Sequence, residues 1–227
     1  MHEEHNHHDE YYHQHPHTLA GEFICHFPHA VFSVLFSLII LSLFNFIGIG
    51  KEEAGIAQAW DELFHNFHFM HIVFASIGTV LTFFRFSQNK VRAALLGLIA
   101  PSIFCVLSDI IFPYLGGRIL GVHMHLHICF FREQLNVLPF LLVGLVTGMI
   151  LGANTEHARG SFSKVSHFMH IFVSSLASSF YMVAHGFSDW SSQIGAVFIV
   201  LVAAVVVPCT LADVVVPMVV ARLGTNK

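Results

Sequence analysis

CVLSDIIFP, Cys105 to Pro113, has a twin in CTLADVVVP, Cys209 to Pro217. Both read Cys, any residue, Leu, a small residue, Asp, three apolar residues, Pro, and both lie inside stretches that otherwise read as membrane helix. A second pair precedes them in the same order: HFMHI spans His68–Ile72 and again His167–Ile171. A weaker third pair joins HAVF at His29 to HICF at His127. The three pairs keep their order at similar separations, as an internal duplication would.

The composition fixes the setting. Of the 227 residues, 55% are apolar and only 11% are charged, too few charges for an ordinary soluble surface. A membrane span needs about 20 apolar residues. Such spans are expected near residues 23–48, 62–85, 93–116, 127–152, 164–186 and 194–222. Arg132, Glu133 and Asn136 weaken the fourth. Each half of the duplication then holds three spans. An odd number makes the second half enter the membrane from the opposite side, as in inverted-repeat transporters. The expected fold is an all-α integral membrane protein, with six transmembrane helices arranged as two inverted three-helix repeats. Residues 1–22 form a His-rich disordered tail, 23–117 the first repeat and 118–227 the second.

Charge sets the expected orientation. Arg85, Lys90, Arg92, Arg159, Lys164, Arg222 and Lys227 would share one face, against Lys51 and Arg118 on the other. By the positive-inside rule both termini are cytoplasmic, and a bacterial inner membrane is the expected location. No basic patch suggests nucleic acid. The bilayer and a metal ion are the expected partners, and a homodimer is a reasonable assembly for so short a transporter.

Histidine is the outlier, 19 residues against 10 Lys plus Arg. Seven fall in the opening MHEEHNHHDEYYHQHPH, a composition suited to collecting transition metal. Most of the others lie at or inside apolar segments. His68 and His71, like His167 and His170, are spaced i, i+3 and can present two imidazoles on one helix face. Asp109 and Asp213 each cost about 2.5–3.5 kcal/mol at a helix centre on insertion scales, so they need partners, and the duplication is expected to set them facing each other across a pseudo-two-fold axis with the two His pairs beside them. Cys105 with Asp109, and Cys209 with Asp213, sit one helical turn apart. Pro101 and Pro113 flank the first Asp, and Pro208 and Pro217 the second, so kinks are expected there.

The candidate metal residues are therefore His68, His71, His167, His170, Asp109, Asp213, Cys105 and Cys209. His29 and His127 join them at the span entrances. Imidazole, carboxylate and thiol suit zinc best, with nickel, cobalt, iron or copper as the other candidates. The expected function is transport of such an ion, held near the bilayer midplane and released by alternating access. The competing reading is a membrane-embedded enzyme with a His-ligated di-metal centre or a haem. The four cysteines (25, 105, 129 and 209) read as thiols rather than as a disulfide framework.

Overall fold

A computed structural model describes residues 19–48, 53–129, 134–153 and 156–223. Residues 1–18 of the His-rich tail, Lys51, Arg132, Glu133 and Lys227 fall outside the described residues, as do the side chains of Cys25, Arg159 and Lys164.

Every regular element among the described residues is helical. In chain order these are α1 (Leu19–Gly48), α2 (Glu53–Phe86), α3 (Lys90–Val106), α4 (Phe112–Ile119), α5 (Gln134–Ala153), α6 (Glu156–Ala184), α7 (Ile194–Thr210) and α8 (Val216–Leu223). A π-helical turn, Leu107–Ile111, fuses α3 to α4, and a second, Leu211–Val215, fuses α7 to α8. Counting each fused pair once gives six helices long and apolar enough to cross a membrane.

The polarity of the bundle suits lipid outside and polar chemistry inside. Large apolar side chains such as Phe32, Ile39, Phe46, Ile99, Val143 and Ile199 are exposed. Ser37, Ser76, Thr79, Ser108, Ser174 and Ser178 are buried together with histidines and aspartates. In hydrocarbon, a helix gains by turning its polar side chains toward other helices that can satisfy them.

The most extensive helix contact is between α2 and α6. They run antiparallel: Phe64 meets Tyr181 at 5.1 Å between ring centroids, and His71 meets His170 at 4.5 Å. On another face of α2 lies α5, which contacts it through Gly144, Gly148 and Gly152. A Cβ on Gly144 would lie 2.7 Å from the Val73 carbonyl oxygen, and one on Gly152 would lie 2.2 Å from the Phe84 ring. Small residues every fourth position let two membrane helices approach to backbone contact.

Cys129 is helical and α5 is described from Gln134, while residues 122–128 are not helical. Their amides are used sideways instead. The His125 amide donates to the His185 carbonyl at 2.9 Å, and the His127 amide to the Tyr181 hydroxyl at 3.2 Å. The HMHLH segment is thus an extended strap across the end of α6.

The prolines act through the π turns. In the first, the Phe112 amide reaches back five residues to the Leu107 carbonyl. That shift assigns the Ser108 carbonyl to residue 113, a proline with no N–H to give. The orphaned oxygen is taken by the Ser178 hydroxyl of α6, which donates at 3.0 Å. The second turn repeats the device. The Val216 amide reaches the Leu211 carbonyl, Pro217 orphans Ala212, and the Thr79 hydroxyl of α2 donates to the Ala212 carbonyl at 3.1 Å. Each widened turn is closed by a hydroxyl from the other half of the chain.

Candidate metal centre

Both aspartates sit in these π turns and are buried. The wider turn points each carboxylate at a histidine pair. Asp109 Oδ2 accepts from His68 Nδ1 at 2.8 Å and from His71 Nδ1 at 2.7 Å. Asp213 Oδ2 accepts from His167 Nδ1 at 3.0 Å and from His170 Nδ1 at 2.6 Å. A buried carboxylate is tolerated when charge-assisted hydrogen bonds replace its water. In turn, each ring that donates through Nδ1 keeps a lone pair on Nε2 as its neutral tautomer. This is the outer-sphere arrangement that fixes metal-binding imidazoles, with a carboxylate behind each ring.

The Nε2 atoms then face away from the carboxylates. His68 Nε2 and His167 Nε2 are buried with no hydrogen-bond partner. His71 and His170 meet at the centre, with His71 Nε2 3.9 Å from Cys209 Sγ. One ligand atom each from His71, His170 and Cys209 lie within 4.8 Å of one another, all three residues buried. Two imidazoles and a thiol at that spacing could close on a single ion with modest adjustment.

The candidates named from the sequence separate into three groups. His68, His71, His167, His170, Asp109, Asp213 and Cys209 are assembled at the centre, but the aspartates stand behind the imidazoles rather than facing one another. Cys105 joins them: it packs on Phe69, Ile72, Val137 and Leu141 and hydrogen-bonds with the His71 side chain. His127 lies in a separate cluster with His65 and Cys129. His29 is exposed on α1, its ring 6.4 Å from Phe168. Met70 is exposed, consistent with packing rather than ligation.

The sequence reading passed over two contributors, the serines behind Asp109. Ser108 and Ser174 donate to Asp109 Oδ1 at 2.8 and 2.9 Å. His26 packs edge-on against His167 at 4.1 Å between centroids. CHFPH places His26 with His29 at the entrance of the first span, where both read as residues that pass metal toward or from the centre. The serines carried no signal, because their role depends on a helix crossing.

Comparison with models of protein families, with curated proteins and with solved structures finds no match for this chain.

Proposed function

We propose that the protein carries a divalent transition metal ion, zinc by preference, across a membrane, with the ion held by the central imidazoles and Cys209. The observation that supports this is the pairing of each buried carboxylate with the Nδ1 atoms of two histidines. Four histidines spend Nδ1 on two carboxylates, which leaves four Nε2 lone pairs in a buried interior. Lone pairs gathered away from water, two of them without any partner, suit a cation that is not itself part of the chain. Borderline nitrogen and sulfur donors favour zinc over magnesium or calcium.

Transport is favoured over catalysis by the pairing of the halves. Triads of the same kind come from α2 with the first π turn and from α6 with the second, and α2 and α6 run in opposite directions. That is the pattern expected of inverted repeats, in which a central site is opened to each face in turn. The bias of Lys and Arg supports cytoplasmic termini. Because ligation requires neutral imidazole, binding and release would be coupled to protons.

The test is elemental analysis of purified protein together with zinc flux into liposomes. His71→Ala, His170→Ala, Asp109→Asn and Asp213→Asn should each lower both metal content and flux. The reading fails if none of the four lowers metal content, or if the wild type holds a tightly bound metal pair or haem, turns over a substrate and moves no metal.

A further inference from the structure

We infer that His65, His127 and Cys129 form a second, shallower metal site, through which the ion passes between the central imidazoles and one face of the membrane. The passage rests on the transport reading; the binding site does not. One ligand atom from each of the three lies within 4.8 Å of the others. They come from different parts of the chain: His65 from α2, His127 from the strap that follows α4, and Cys129 from the helical residue directly after the strap. Cys129 is fully buried, whereas both histidines are half-buried, so the cluster is more open than the centre.

The surroundings orient the donors. His65 Nδ1 lies 2.8 Å from the Asp61 carbonyl oxygen, the hydrogen bond that leaves Nε2 as the lone-pair nitrogen. The His127 ring is edge-on to His65 at 5.6 Å and stacked on His185 at 5.6 Å. His185 in turn uses Nδ1 on the Tyr181 carbonyl at 3.0 Å. Tyr181 also clamps the strap, since its hydroxyl receives the His127 amide and donates to the His125 carbonyl at 3.4 Å. Gly186, at φ 124°, makes room for this, because a Cβ there would lie 2.7 Å from the His123 carbonyl oxygen. The strap is therefore held against the end of α6 with His127 and Cys129 turned toward α2.

Location supplies the role. His65 is one helical turn, about 5 Å, from His68 on the same helix. At the opposite end of the bundle His26 packs on His167. Imidazoles thus continue outward from the centre in both directions, and among the described residues the His65 end gathers two histidines and a thiol within 4.8 Å of one another. Nitrogen, nitrogen and sulfur donors would take zinc, cobalt or copper and reject magnesium and calcium.

Cobalt(II) added to the purified full chain is the probe, because thiolate ligation gives a charge-transfer band in the near ultraviolet. A Cys25→Ser, Cys105→Ser, Cys209→Ser variant leaves Cys129 as the sole thiol. It should still show the band, and adding either His127→Ala or Cys129→Ser should abolish it. In the otherwise wild-type chain, Cys129→Ser should reduce bound cobalt from two ions per chain to one, with the melting temperature held. Absence of the band from the sole-thiol variant, when its melting temperature matches that of wild type, overturns the second site, as does unchanged stoichiometry in Cys129→Ser. If the sole-thiol variant shows the band but the wild type moves no metal, the site stands and loses only its place on a transport path.

Discussion

The two carboxylates at the centre face their histidines alike and differ behind them. Asp109 Oδ1 receives two hydroxyls, from Ser108 and Ser174. Asp213 Oδ1 is buried and receives none. The positions that correspond in the duplication explain this. Ala212 stands where Ser108 does, and Ala75 where Ser174 does. Instead, the second carboxylate lies against the bare backbone of α2 at Gly78, where a Cβ would be 2.7 Å from Oδ1; the matching position in α6 is Ala177. The halves have thus kept what touches the imidazoles and diverged in what supports the support. One carboxylate is locked by hydroxyls, the other wedged against a glycine.

Four measurements would break or sharpen that contrast. The largest effect is expected from removing charge. Asp109→Asn and Asp213→Asn should each weaken zinc binding about 10–100-fold by competition with a chelating dye. Equal losses would show that the inner geometry dominates, and a loss confined to one half would show that the supports do. Next, Gly78→Ala should push Asp213 off its histidines. Overpacking of this kind costs about 1–3 kcal/mol, read from thermal unfolding in detergent. Ala177→Gly in the other half should cost about 1 kcal/mol or less, as a helix-propensity change. If the two substitutions match, the wedge is not real.

Third, Thr79→Val and Ser178→Ala each remove the hydroxyl that closes a π turn. Each should destabilise by about 1–3 kcal/mol, the range for leaving a buried carbonyl unsatisfied. Thr79 should sit at the upper end, because Thr79→Val removes one hydroxyl and keeps the shape. Amide exchange faster at Phe112 or Val216 would locate the damage. The smallest effect concerns His185, just beyond the fifth span, whose imidazole burial pushes below its ordinary value despite the Tyr181 carbonyl and nearby Asp61. Since the folded state binds that proton less readily than the unfolded chain, the contribution is complete above about pH 6.5 and is lost as pH falls below it. Unfolding measured with chelator present should show the loss, and His185→Gln should flatten it.

How much of this was legible in the residues follows from what each feature depends on. The spans were legible because hydropathy is local. The histidine pairs were legible because i, i+3 spacing fixes a shared face on any helix. Proline near Asp signalled an irregular helix, but a kink was expected where π turns formed; which backbone bond shifts depends on a hydroxyl supplied from another helix. The expected fourth span took in residues 127 and 128, which instead belong to the strap, since apolar residues say nothing about the Tyr181 and His185 groups that capture its amides. The aspartates were placed face to face on symmetry alone. Hydrogen-bond chemistry placed them behind the rings, because Nδ1 is the nitrogen nearer the helix and the carboxylate follows it. Glycines 144, 148 and 152 were visible at every fourth position, yet only the partner helix gives that spacing a meaning.

Those glycines also bear on which parts of the molecule travel together. Val73, Ser76, Val80 and Phe84 of α2 fill the places where α5 has no side chains. Sliding or tilting α5 on α2 would drive those groups into its backbone. The two helices therefore pack as one body, although one belongs to the first half of the sequence and the other to the second. A boundary near residue 117, where the duplication would divide the chain, thus cuts across a tightly packed pair instead of falling between two packed units.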